Sequence, residues 1–514
     1  MVWSDVKIVG EELAAVLPQN RKPWWREPQL VRLNFTIASM VILASANGYD
    51  GSLMGSFQAL PYWQKFMDSP TGAWLGFVNA VQSLGVFLLL PVVAWSSNKF
   101  GRKKTIFVAY FWLALGVGLQ TGAVNPAMFV MGRLFVGGTS AFYAASAPLL
   151  VTESAYPTHR AILTTVYNTG WYIGSTTAAW ATYGTRNYPN NWSWMIPSIL
   201  QLLIPVIALP GLFMAEESPR WLCDQGRDEE ARKFLVKYHA GGDENSPLVA
   251  FEMAEIQQTL EMERNSQLAT SWRDMIRTKG NRHRLWISIT AGIFAQWNGV
   301  GIVSYYLPPV LGTIGVTSVT KQTLISAFLQ LWNLFVAMGS AFFVDSAGRR
   351  PLFLTSCFGM LASYIIITGL SGSFANTGAS ATGTAVIPFL FIYYAFYDIA
   401  FNPLLVGYIC EIWPYHLRAR GLAGMNIATQ GAVFFNIFVN PIALDAIAWK
   451  YYAVYVAILV VITVVVWFSY PETKGHTLEE MARLFDGDDA VPAQGAVLDQ
   501  VTKVESEKQI ENQA

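Results

Sequence analysis

Apolar runs long enough to cross a lipid bilayer recur along most of this chain. About 20 apolar residues span a hydrocarbon core. Segments of that kind lie near 33–57, 73–95, 105–125, 127–150, 161–183 and 194–214, and then near 285–312, 322–344, 351–372, 384–411, 421–443 and 450–470. No water reaches backbone groups inside hydrocarbon, so each run is read as a helix that satisfies its own N–H and C=O groups. Twelve such helices predict an all-α membrane protein and exclude a globular solution fold. The composition fits: 53% of the residues are hydrophobic and 13% charged, about half the charged share of a soluble chain.

Other classes find little support. The 34 Lys and Arg balance 34 Asp and Glu with no separate basic domain, so nucleic acid is not an expected partner. Three cysteines, Cys223, Cys357 and Cys410, exclude a disulfide scaffold. His159, His239, His283, His416 and His476 show no metal-ligand spacing. There is no Gly-x-Ser-x-Gly, no P-loop and no Cys-x-x-Cys. An enzyme, a metal and a cofactor are therefore not expected. The first thirty residues are polar, and no cleaved signal peptide is expected from them.

The basic residues set an orientation. With the N-terminus inside, the outer loops hold only Lys65, Arg186, Lys321 and Lys450, and Arg133 falls within a span; the remaining 29 of the 34 lie on the inner side. The positive-inside rule then predicts two cytoplasmic termini. The expected organisation is a cytoplasmic segment 1–32, a six-helix half 33–214, an intracellular helical linker 215–284, a second six-helix half 285–470 and a cytoplasmic tail 471–514. The linker carries mixed-charge runs at Arg227–Lys233 and Glu255–Glu263, patterned as solvated amphipathic helices. Trp180, Trp192, Trp194 and Trp449 sit near span ends and read as interface anchors. Asn191-Trp192-Ser193 is a glycosylation sequon on an outer loop.

Three motifs occur twice, in register. Asn98-Lys99-Phe100-Gly101-Arg102-Lys103 follows the second span, and Asp345-Ser346-Ala347-Gly348-Arg349-Arg350 follows the eighth, the glycines 247 residues apart. Glu153, Pro157 and Arg160 end the fourth span, as Glu411, Pro414 and Arg418 end the tenth, 258 residues on. Glu217-Ser218-Pro219-Arg220 follows the sixth, and Pro471-Glu472-Thr473-Lys474 follows the twelfth, the glutamates 255 apart. Two parallel six-helix halves around a midplane site are the architecture of major facilitator transporters.

These motifs, with Trp221-Leu222 and Gly475, resemble the sugar porter family of the major facilitator superfamily, over roughly residues 33–485. Glu216 departs from the family, which has proline there. Tyr167-Asn168-Thr169-Gly170-Trp171, Gln296-Trp297-Asn298-Gly299 with Ser304-Tyr305-Tyr306, and Tyr397-Asp398-Ile399-Ala400-Phe401 resemble the fungal lactose and cellodextrin permease branch. The resemblance implies a plasma-membrane sugar carrier, with a sugar, protons and the bilayer as partners and a monomer as the working unit.

Ionisable groups inside a span usually face a cavity or a partner. Asp50 in the first span and Arg133 in the fourth are each other's expected partner, and the family resemblance pairs them for proton coupling. Burial favours the protonated carboxyl and the cation favours the ionised one, so such a group can load and release a proton. A fixed structural ion pair is the competing reading.

Polar side chains also share faces of otherwise apolar spans: Asn168 with Tyr172, Gln330 with Asn333, Asp398 with Asn402, and Asn426 with Gln430. Amides both donate and accept, as sugar hydroxyls do; interhelical hydrogen bonding uses the same residues. The resemblance places Asn168, Gln296, Asn333 and Gln430 near the sugar; Asp398 and Asn402 are candidates from their shared polar face, and Trp297 and Tyr305 are candidates as aromatic faces for sugar C–H groups. Ala295, Gly301 and Val406 stand where the family has larger side chains, which implies a roomier site and a β-linked disaccharide such as lactose or cellobiose beside a monosaccharide. Arg102, Glu153, Arg160, Glu217, Arg220, Asp345, Arg349, Glu411, Arg418 and Glu472 are expected to form an intracellular latch of salt bridges. The expected activity is proton-driven sugar import; a passive uniporter and a transporter-like sugar sensor are the alternatives.

Overall fold

A computed structural model describes residues 11–18, 23–269, 271–474 and 478–486. Twelve long helical stretches run through them: α1 (Pro28–Phe57), α2 (Gly72–Phe100), α3 (Arg102–Thr121), α4 (Pro126–Ser154), α5 (Pro157–Thr185), α6 (Trp192–Met214), α7 (Lys279–Trp297 and Val300–Thr313), α8 (Val319–Ala347), α9 (Arg349–Thr377), α10 (Ser380–Ile412), α11 (Tyr415–Ile447) and α12 (Tyr451–Ser469). No strand occurs among the described residues. Several helices run past the apolar segment that announces them. Lys279 to Arg284 already belong to α7, because polar residues outside hydrocarbon can extend a helix with their backbone bonds intact.

Nine stretches among the described residues are long and apolar enough to cross a membrane, with α11 and α12 in one run, Leu417–Ser469. The two left out, α5 and α7, carry the polar faces described below. The fold is that of the major facilitator superfamily, two six-helix halves with a helical linker. Each half has its own apolar core, one built around α1–α6 and the other around α7–α12.

The repeated motifs fold alike. Gly101 separates α2 from α3 at φ 96°, and Gly348 separates α8 from α9 at φ 88°. Only glycine adopts that conformation without strain. A Cβ at Gly101 would strike the Glu217 carboxylate, and one at Gly348 would strike that of Glu472. Pro157 opens α5 directly after α4, and Pro414 caps α11 directly after α10.

Two helices are broken at the level where function is sought. In α7 the break is Asn298–Gly299, with Gly299 at φ 104°. Tyr364 donates to the Gly299 carbonyl (2.8 Å), and Tyr393 donates to that of Asn298 (3.2 Å), so side chains replace the lost helical bonds. In α10 the regular helix stops at Ala400 and resumes at Leu405.

The linker is less solvated than its charge suggests. The helix Asp228–Tyr238 buries Ala231, Phe234, Leu235 and Tyr238. His239 is buried between Glu252 (2.8 Å) and the Ser154 carbonyl at the end of α4 (3.3 Å). Trp221 Nε1 donates to the Asn98 carbonyl at the end of α2 (2.8 Å). The linker is thus docked on the first half. Trp194 is not an interface anchor: it is fully buried, packed on Phe66 and Phe129.

Candidate functional site

A cavity of about 350 Å³ lies between the two halves, midway along the helices. The first half lines it with Asn47, Asn79, Gln82, Arg133, Trp171 and Tyr172. The second half lines it with Gln296, Ser304, Tyr305, Gln330, Asn333, Tyr394, Tyr397, Asn402 and Gln430. Neutral amides and aromatic rings from both halves therefore converge on one space, the combination that hydroxyls and C–H faces of a sugar require.

Of the residues singled out in the sequence, Gln296, Asn333, Asn402, Gln430 and Tyr305 reach the cavity wall. Asn333 is 1% exposed, and neither atom of its amide has a hydrogen-bond partner among the described residues. Gln296 and its neighbours are braced from behind, since Asn436 Nδ2 donates to the Gln296 carbonyl (2.6 Å). The side chain of Asn168 lies outside the described ones. Trp297 does not line the cavity. Its indole donates to the Ala432 carbonyl (3.2 Å), and its ring packs on Phe435 of α11. Asp398 sits one layer back, fully buried, where Tyr172 donates a short hydrogen bond to its Oδ1.

The residues expected to enlarge the site do not line it. Ala295 belongs to the apolar core of the second half. The space beside Gly301 is taken by the Asn436 amide. Val406 is exposed elsewhere on α10.

Asp50 and Arg133 are both buried, at 1% and 2% exposure, and α1 packs against α4. They are close enough to interact electrostatically but form no direct ion pair. Arg133 Nη2 donates instead to Gln82 Oε1 of α2 (2.6 Å), and both Asp50 oxygens lack hydrogen-bond partners among the described residues. Gln82 is the residue the sequence reading missed here, together with Asn79, Ser304 and Tyr394.

The halves are tied at the cavity and on the side away from the linker. Gln58, just after α1, donates to the Tyr305 carbonyl of α7 (2.7 Å), and Arg186, just after α5, donates to Thr320 of α8 (3.2 Å). On the linker side the expected salt bridges do form, but within each half. Arg102 pairs with Glu153 (3.1 Å), and Arg349 with Glu411 (2.9 Å). Ser218 donates to Glu153, and Thr473 donates to Glu411. The amides of Arg102 and Lys103 donate to Glu217, and those of Arg349 and Arg350 donate to Glu472. Each network binds three helix ends of one half into a unit; none of these bonds joins one half to the other. Arg220 reaches Glu263 in the linker (2.5 Å), Arg160 is exposed, and Arg418 lies near Cys410. The side chain of Asp345 lies outside the described ones. Burial pushes the Glu217 carboxyl above the ordinary range against its amide donors. Burial also raises Glu472, but four backbone amides outweigh it and hold that group below the ordinary range.

The comparisons with known proteins agree with this fold. Residues 36–485 match the family described as "Sugar (and other) transporter". The chain is 26% identical over 491 residues to the High-affinity glucose transporter 1 of Candida albicans, covering 91% of this chain and 88% of that protein. It is 27% identical over 482 residues to the Quinate permease of Neurospora terricola, covering 88% of each. A structure of the proton:xylose symporter XylE, a protein of E. coli, bound to 6-bromo-6-deoxy-D-glucose, superposes with a TM-score of 0.68 at 21% identity, covering 88% of this chain and 99% of that one.

Proposed function

The chain belongs to the sugar (and other) transporter family, and on that premise we propose that it imports a sugar by alternating access, driven by protons moving down their gradient. The observation that carries this reading is the cavity itself, where amides of both halves face one another across the seam. A ligand that bonds to both halves favours the state in which they close on it, and a two-state carrier can be biased only by such differential contacts. Asn333, Gln296, Asn402 and Gln430 would take the hydroxyls, and Tyr305 and Trp171 the apolar faces.

Asp50 is the proposed proton carrier. Its oxygens accept no hydrogen bond among the described residues, while the neighbouring Arg133 is held by Gln82, so protonation need not break a direct ion pair. The networks at the helix ends act as latches that keep each half rigid while the halves rock. The excess of basic residues in one set of loops supports cytoplasmic termini; uptake at the plasma membrane rests on the motif resemblance.

A monosaccharide is the favoured substrate, because Asn436 and the apolar core occupy the places that a larger ring system would need. A β-linked disaccharide rests on the motif resemblance alone. Uptake of a labelled panel of hexoses, pentoses, polyols, quinate, lactose and cellobiose, in a host lacking its own sugar carriers and at two pH values, tests both points. Monosaccharide uptake that rises as the medium is acidified supports the reading. Uptake indifferent to pH would make the protein a passive carrier, and no uptake with intact surface expression would favour a sensor.

A further inference from the structure

Among the described residues, the Tyr172–Asp398 bond is the one cross-half side-chain hydrogen bond at the cavity that involves a carboxylate. Asp398 lies in α10, two residues before its regular helix ends, and is completely buried. Tyr172 comes from α5 in the other half and lines the cavity. A bare carboxylate is costly at this depth unless a cation or a proton neutralises it. The groups facing Asp398 are the phenols of Tyr172 from α5 and of Tyr394 and Tyr397 from its own helix, with Tyr305 of α7 beyond them. The cavity residues that α8 supplies, Gln330 and Asn333, are uncharged. None of these is a cation.

The two oxygens are placed differently. Oδ1 accepts from Tyr172, as the carbonyl oxygen of a carboxylic acid does. Oδ2 makes no hydrogen bond among the described residues, and the Asn402 side chain, which lines the cavity, is near enough to interact with the Asp398 carboxyl. With no cation among these neighbours, a proton is what can neutralise the buried carboxyl, and Oδ2 is the oxygen left open to carry it. We propose that Asp398 is a second proton-binding site of this carrier, in the half opposite Asp50, and that its proton exchanges with the cavity when the Tyr172–Asp398 bond across the seam opens.

The proposal rests on the alternating-access reading for its exchange step but not for the proton itself, so its first test needs no substrate. Infrared difference spectra of the full chain in lipid, recorded as pH is raised, should show a protonated-carboxyl band that is lost in Asp398→Asn, kept in Asp398→Glu, and shifted in frequency in Tyr172→Phe. The Asp50→Asn spectrum should lose a different component. Circular dichroism confirms that each variant is folded, and the glutamate variant covers the case in which Asp398→Asn does not fold. A spectrum unchanged by Asp398→Asn overturns the proposal, as does an Asp398→Glu spectrum without the band. The second test is proton flux per labelled glucose in liposomes. It should fall from about two protons per sugar to about one in Asp398→Asn, one neutralising proton being needed for each buried carboxyl. A ratio that Asp398→Asn leaves unchanged overturns the exchange step; an absence of any glucose-driven proton flux in the unaltered chain, with the infrared band present, overturns the coupling reading and leaves the proton site standing.

Discussion

Arg133 of α4 donates to Gln82 of α2 at 2.6 Å and makes no direct ion pair with Asp50 of α1. The cation is therefore held by a neutral partner, and the nearby carboxyl is left without one. That division suits a group that must gain and lose a proton in each cycle, since a tight ion pair would keep it ionised.

The first prediction concerns this trio. Asp50→Asn should abolish uphill accumulation while sugar exchange between equal pools persists. Gln82→Ala removes the neutral partner of Arg133 and leaves Asp50 as its nearest counter-charge, so it should slow uptake while the proton-to-sugar ratio is kept. Flux of labelled sugar and of protons, measured in the same vesicles, reads both. Uphill accumulation that survives in Asp50→Asn would remove Asp50 from the coupling step.

The second concerns Asn333, whose buried amide has no hydrogen-bond partner among the described residues. An unmet buried polar group destabilises by about 1–3 kcal/mol, and a ligand hydroxyl that pairs with it recovers a similar amount. Asn333→Ala should then weaken sugar affinity roughly five- to 150-fold while the melting temperature of the empty protein holds or rises. Gln296→Ala should weaken affinity with no gain in stability, and Asn168→Ala should also weaken it. Unaltered half-saturation in all three would mark these amides as purely structural.

The third separates the two helix-end hydroxyls. Ser218 both donates to Glu153 and caps the helix Pro219–Asp224 by accepting from the Trp221 amide. Losing such a cap costs about 0.5–2 kcal/mol. Thr473 donates to Glu411, and among the described residues no amide donates to its hydroxyl. Ser218→Ala should lower the melting temperature more than Thr473→Ala, and Thr473→Ser should be close to neutral. Equal losses from both alanine variants would contradict the added role of the cap.

The two halves should also answer pH differently. Glu472 is held below the ordinary carboxylate range, so its stabilisation is present above that range and is lost as pH falls through its folded value. Glu217 is raised by burial, so its ionisation opposes folding as pH rises from the ordinary range to its folded value. Thermal melts across that acid window should show the penalty of Glu472→Gln shrinking as pH falls. Glu217→Gln should remove the gain in stability that the unaltered chain shows on mild acidification. The same pH response in both variants would contradict the assignment.

Much of this fold was legible in the residues because hydrocarbon permits so few solutions, and because three motifs repeat in register. The repeat could have yielded more. Ser218 follows Glu217 as Thr473 follows Glu472, and that pairing alone marks the two hydroxyls as equivalent. The cavity was less legible. One polar residue in an apolar span, such as Asn79, Gln82 or Tyr394, does not say which way it points until the neighbouring helices are in place. Trp297 was misjudged for a local reason: α7 breaks at Asn298–Gly299, so helical periodicity does not carry across it. Gly301 looked like vacated space because the sequence does not show Asn436 reaching it from α11.

The central claim is that a proton gradient drives sugar through the cavity between the halves. The most direct measurement is accumulation of labelled glucose by liposomes holding the full chain, with an inward proton gradient imposed. Internal glucose should rise above the external level, collapse to equality when an ionophore dissipates the gradient, and fail to rise above equality in Asp50→Asn. Glucose that enters only to equality, with or without the gradient, would contradict the account.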